Sequence, residues 1–190
     1  MEEKQNSRNV SIVKDLNGNN IVIINDIVFK GKKSISWKDV EKYLMRYVGE
    51  LYTIAATNEV VYIGADLPDE YAHSEYTNIL KGANAKAKAN AVQGIPELIK
   101  ISSGLNIFQI KRKNIITMQN MVGIGMNQDS HYLYFGEDGE ILRFNVFHVA
   151  MLVRHARDGK KYLYDIMNIK KRNEQPFPVT RPYSVRKPIP

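Results

Sequence analysis

The chain reads as an α+β protein, a helical segment followed by an antiparallel β-meander, with a β-hairpin and helix appendage at the N-terminus. Three observations predict this. Short apolar runs bounded by turn residues recur near both ends, the signature of paired strands. Between them, residues 69–103 are helical in composition. A hydrophobic fraction of 44% over 190 residues is enough for a real core in a domain of ordinary size. The expected organisation is an appendage over 1–65, a core over 66–171, and a proline-rich basic tail over 172–190.

The elements follow in order. Residues 1–8 form a polar arm. Val10 to Asp15 and Ile21 to Ile24 flank Asn17-Gly18-Asn19, and Asn-Gly between apolar runs predicts a hairpin because both residues tolerate positive φ. Ser36, with Asp39 three residues on, marks a helix start. Trp37, Val40, Leu44, Tyr47 and Val48 then follow helical spacing up to Gly49. Trp37 could stack on a base, but its place on the apolar stripe assigns it to packing. Leu51 to Ala55 and Val60 to Ile63 predict a second hairpin. Gly82, Gly94 and the Ile95-Pro96 step divide the helical stretch. In the segment from Ala83 to Ala91, small residues allow close packing on a sheet, with Lys86 and Lys88 expected to point outward. Residues 111–129 read as loop or irregular strand. Tyr132 to Phe135, Ile141 to Arg154 and Tyr162 to Ile169, separated by turns at Glu137–Gly139 and Arg157–Lys160, complete the meander. The tail from Gln175 holds five of the seven prolines.

Composition narrows the chemistry. With no cysteine there is no disulfide framework, thiolate nucleophile or cysteine-based zinc site. No apolar run reaches the roughly 20 residues of a membrane span, and the first ten residues do not resemble a signal peptide, so the expected location is the cytoplasm of a bacterial host. The formal charge of +7 favours a polyanion, although a solvated lysine-rich surface has the same composition. Phosphate-binding glycine loops, zinc-protease and serine-hydrolase motifs are absent, and carboxylates do not cluster as a two-metal nuclease requires. The expectation is therefore no metal and no cofactor.

One metal-free reaction suits the residues that remain: cleavage of RNA with its own 2′-OH as nucleophile. It needs a base, an acid, and cations for the charged phosphorane, and histidine titrates near neutrality. The run Ile141 to Lys171 carries His148, Arg154, His155, Tyr162, Tyr164 and Asp165 around Asp158-Gly159. A two-residue turn there would place His155 opposite Tyr162, near solvent. His148 and Arg154 would share the other face about 20 Å apart, too far to hold one phosphate. His148 lies among apolar residues, where a histidine is commonly a hydrogen-bonded core group. His73 and Ser74 lie at a helix start that could bind an anion or simply cap the helix. His131 begins a strand. Lys81, Lys86 and Lys88 could line a phosphate groove or a solvated helix face, and Arg143 adds a cation on the strand before His148.

The order of these pieces is similar to a known family. PDEYAHSEYT at 68–77, KGANAKAKANA at 81–91, QGIPELI at 93–99, RFNVFH at 143–148, RHA at 154–156 and GKKYLYDI at 159–166 together resemble the phage- and mobile-element-associated branch of the Barnase–EndoU–colicin–RelE nuclease-like superfamily. The resemblance spans about residues 66 to 171. It implies a helical segment followed by a four-stranded antiparallel sheet, and a metal-free ribonuclease or toxin. By position it carries over His73, Ser74, Lys81, His148, Arg154, His155, Tyr164 and Asp165. In that reading His155 is base or acid and His73 or His148 its partner. Arg154 and Lys81 hold the phosphate, and Tyr162 or Tyr164 orients it. The implied partners are RNA and an immunity protein. One stretch departs from the family pattern: MQNMVGIGM at 118–126 stands where relatives carry a segment rich in histidine, tryptophan, tyrosine and arginine. A non-catalytic inhibitor on the same fold, binding a host nuclease, a defence complex or RNA, is the alternative.

Overall fold

The computed structural model describes residues 9–14, 19–31, 34–102, 105–106, 115–120, 132–135, 141–144 and 146–171; between 103 and 145 it describes backbone alone. The predicted turn at 15–18, the stretch 107–114, His131 and the tail lie outside the described residues, as does the side chain of Arg143.

The chain is α+β. β1 (Val10–Lys14) and β2 (Asn20–Ile24) form the first hairpin, in register from Val10 opposite Ile24 to Lys14 opposite Asn20. α1 (Trp37–Leu44) begins after Ser36 and continues into a single 3-10 turn, Met45–Tyr47. Ser36 occupies the N-cap without a side-chain cap bond, so Asp39, acidic in the first turn, is what favours the helix start electrostatically. Val40, Leu44 and Tyr47 are buried, and Trp37 packs against the core from the side, as its spacing predicts.

β3 (Leu51–Thr53) and β4 (Val60–Tyr62) pair antiparallel as the second hairpin. Four helices follow: α2 (Leu67–His73), α3 (Glu75–Ile79), α4 (Gly82–Ala91) and, after a 3-10 turn, α5 (Ile95–Lys100). Gly82, with φ of 56°, opens α4 and Pro96 lies in the first turn of α5. The break between α2 and α3 has no glycine or proline. Ser74, extended at ψ 154°, ends one helix and caps the next by accepting a bond from the Thr77 N–H at 3.1 Å.

The C-terminal half adds short β5 (Leu105–Asn106), β6 (Ile115–Asn120), β7 (Tyr132–Phe135), β8 (Ile141–Phe144), β9 (Phe147–His155) and β10 (Lys161–Lys171). Among the described residues, β7 and β8 pair as a separate hairpin. β9 and β10 lie at the centre of a six-stranded mixed sheet ordered β3-β4-β10-β9-β6-β5, in which β10 runs parallel to β4. Of the strands expected in the N-terminal appendage, β3 and β4 thus complete the sheet while β1 and β2 stay a separate hairpin, and one hydrophobic cluster runs from Val22 to Ile169.

Alternation along β9 sends Phe147, Val149, Met151 and Val153 into that cluster, which they share with Ala87, Ala89 and Ala91 of α4, a helix packed on β10, and with Leu98 and Ile99 of α5. The alanines allow the close approach that the sequence predicts. Two amide side chains fasten the segment after β2. Asn90 accepts the Phe29 N–H at 2.9 Å and donates to the Phe29 carbonyl at 3.0 Å. Gln93 accepts from the Val28 N–H and donates to the Asp26 carbonyl. Buried backbone outside a sheet needs such partners.

Candidate functional site

The β9–β10 hairpin has a different register from the one a two-residue turn imposes. Ala156 donates to the Lys160 carbonyl and Gly159 donates to the Ala156 carbonyl, so the loop is the three residues Arg157, Asp158 and Gly159. Gly159 takes φ of 81°, whereas Asp158 is not among the residues with positive φ, which rules out the mirror-type two-residue turn. The pairing shifts by one position. His155 lies opposite Lys161, and Tyr162 lies opposite Arg154. The expected pair of His155 with Tyr162 is thereby corrected, because a one-residue slip exchanges sheet faces.

A row of polar groups results. Tyr62 on β4 is in register with Tyr162 on β10, which is in register with Arg154 on β9. The two tyrosine rings lie 5.7 Å apart at 42°, and the Lys160 ammonium stands 5.1 Å from the centre of the Tyr62 ring. Arg154 pairs with Asp66, the residue before α2, and its guanidinium lies 5.8 Å from the Tyr164 ring. The Tyr164 hydroxyl donates to Glu70 of α2 at 2.6 Å. Burial, together with that bond and charge, pushes the Tyr164 phenol up to about 12. Asp66 and Glu70 are one helical turn apart, so α2 presents both carboxylates toward the sheet. All of these groups are half-buried, apart from exposed Lys160. Beside them Lys161 pairs with Glu59. Sequence reasoning named Arg154, Tyr162 and Tyr164 but missed Tyr62, Asp66 and Glu70. The i, i+4 spacing of Asp66 and Glu70 at a helix start was the available signal.

The histidines do not join this row. His155 is half-buried and follows Arg154, so its ring points to the opposite face; its Nε2 is buried with no hydrogen-bond partner among the described residues. His148, half-buried, lies opposite Lys170 at the far end of β9. His73 ends α2, where Nε2 lies 3.2 Å from Glu41 Oε2 and 4.0 Å from Asp69 Oδ1. Those three residues are the one set of histidine and carboxylates among the described residues whose ligating atoms gather within reach of a single ion.

Two further expectations are corrected by burial. Lys88 does not point outward but is wholly buried, 2.6 Å from Asp165, which is itself 2% exposed. Lys86 is half-buried and Lys81, at the start of α4, is exposed. Positions two apart on a helix project about 200° apart, so Lys86 and Lys88 cannot share one solvent face. Around the buried pair, Ser74 donates to Asp165 at 3.0 Å and the Ile166 N–H donates to it at 2.7 Å. The Lys88 ammonium stands 4.6 Å from the Tyr71 ring centre and 5.0 Å from that of Tyr76. Burial pushes the Asp165 carboxyl up and the Lys88 ammonium down, and their mutual attraction opposes both shifts. Ser74 and Asp165 therefore serve the interior, where they bind helices α2 to α4 to β10. The Ser74 hydroxyl is taken up in capping and in this network.

Compared with known proteins, the chain matches no family model, no curated protein and no solved structure. No helix among the described residues is long and apolar enough to cross a membrane.

Proposed function

We propose that the chain is a metal-independent RNA-cleaving domain whose reaction centre is the row Arg154, Tyr164 and Glu70 rather than a pair of histidines. The observation that carries this reading is the convergence of an arginine, a protonated phenol and a carboxylate beside the Tyr62–Tyr162 pair. In this reading RNA displaces Asp66 from Arg154, and the guanidinium holds the phosphate and the charge of the phosphorane. Glu70 takes the proton from the 2′-OH, which attacks phosphorus. The leaving 5′-oxygen takes the Tyr164 proton, giving a 2′,3′-cyclic phosphate and a free 5′-hydroxyl. A phenol raised to about 12 carries its proton at neutral pH, so it can donate that proton but cannot act as the base. The tyrosine pair offers faces on which a base can stack, worth about 1–3 kcal/mol per base. The excess of positive charge favours a polyanion such as RNA. The sequence resemblance to mobile-element nucleases agrees with a toxin role and an immunity protein as a partner.

The dispersal of the three histidines and the pairing of Arg154 with Asp66 favour a second reading, a non-catalytic protein on this fold that occupies RNA or a host nuclease or defence complex. One assay separates the two: single-stranded RNA incubated with the protein at neutral pH in EDTA, with products examined for cyclic phosphate ends. We expect cleavage that falls about 100-fold in Tyr164→Phe and at least as far in Arg154→Ala, with His155→Ala close to wild type. Wild-type protein that binds RNA or a host protein without cutting would establish the second reading.

A further inference from the structure

The seam between α1 and α2 brings together three groups that the RNA-cleaving row does not use. Asp69 and His73 stand one turn apart on α2 and so share an edge of that helix. Glu41 reaches them from α1, and its Oε2 lies 3.2 Å from His73 Nε2. One ligating atom from each residue lies within 4.8 Å of the other two. We propose that Glu41, Asp69 and His73 form a binding site for a divalent transition metal of the zinc class, which fastens α1 to α2.

Geometry and donor chemistry both support it. Four-coordinate zinc has bonds of about 2.0–2.2 Å to nitrogen and oxygen, which separates neighbouring donor atoms by about 3.4 Å. The observed 3.2 Å and 4.0 Å bracket that spacing, and Asp69, with its side chain 78% exposed, has room to rotate inward. An imidazole nitrogen with two carboxylate oxygens suits zinc, cobalt, nickel or copper, whereas calcium and magnesium favour all-oxygen sets. Two carboxylates and a neutral imidazole balance the charge of a dication. The site is open to solvent, so water can complete the coordination shell. A protonated His73 held between the two carboxylates would show the same distances, and the metal takes the place of that proton on Nε2. α1 has eight residues, too few to be stable as an isolated helix, so a cross-link to α2 has something to stabilise.

The test uses the full chain and Zn2+ alone. Calorimetric titration is expected to show one site, and saturation to raise the thermal midpoint through binding to the folded state. Glu41→Gln, Asp69→Asn and His73→Gln should each weaken binding at least tenfold. All three side chains face solvent, and far-UV circular dichroism of each variant checks that it is folded. Paramagnetic Co2+ should broaden the ring protons of His73 before those of the other histidines. No binding at millimolar Zn2+ overturns the proposal, as does binding unchanged in both carboxylate variants. Co2+ broadening centred on another histidine overturns it too. Since the readouts are binding and stability, the outcome does not depend on whether the chain cuts RNA.

Discussion

A lysine and an aspartate removed from water at the centre of the molecule set its most exacting requirement. Each ion loses several kcal/mol of hydration, and only close pairing with satisfied hydrogen bonds offsets that loss. Lys88 and Asp165 meet those terms, with Ser74 and the Ile166 N–H completing the carboxylate's partners. Replacing Lys88 by Met strands the carboxylate and should cost about 3–5 kcal/mol in urea unfolding at pH 7. The double variant Lys88→Met/Asp165→Leu should recover most of that, and no recovery would show that the pair is not the unit of stability. The pH dependence has a definite sign. Asp165 already holds its proton more tightly folded than unfolded, and without Lys88 it holds it more tightly still. The deficit of the single variant should therefore be small near pH 4 and grow as pH rises. Little of this was legible in the sequence. An alanine–lysine helix resembles a solvated one in composition, and only the 100° step between residues shows that one of its lysines must turn inward.

Elements were more legible than their registers. Both N-terminal hairpins, α1, the divided helical stretch and the β9–β10 hairpin were readable from apolar spacing and turn residues. The partners of each strand were not, because β4 meets β10 through contacts distant in sequence that no local pattern encodes. The loop from Arg157 to Gly159 shows the limit most clearly: Asp-Gly closes either a two-residue turn or, with one more residue, a turn followed by a bulge. The choice decides whether Arg154 or His155 accompanies Tyr162. Glycine at φ of 81° holds the observed choice. Gly159→Ala should cost about 1–2 kcal/mol in chemical denaturation, and Gly159→Asn less, since asparagine visits that region more readily. Equal stability of the alanine variant and wild type would mean that another residue sets the register. Asn168, at φ of 54° where β10 shifts register again, does the same service near the other end of the strand.

At the scale of the whole molecule, the parallel pairing of Tyr62 with Tyr162 joins positions a hundred residues apart and places the last described strand between earlier ones. A chain growing on the ribosome must therefore present β3, β4 and every helix before the strand that unites them has been made. Until β10 emerges, β4 and β9 each have an unsatisfied edge, and Lys88 has no carboxylate to meet. A chain ending at residue 158 should stay protease-sensitive, whereas one ending at 174 should resist digestion. A resistant shorter fragment would show that the N-terminal elements fold without the final strand. The row proposed to cleave RNA draws Arg154 and Tyr164 from β9 and β10, so any activity it has would arise only after both strands have been made. A toxin assembled this way would remain harmless to the ribosome that makes it until β10 has emerged.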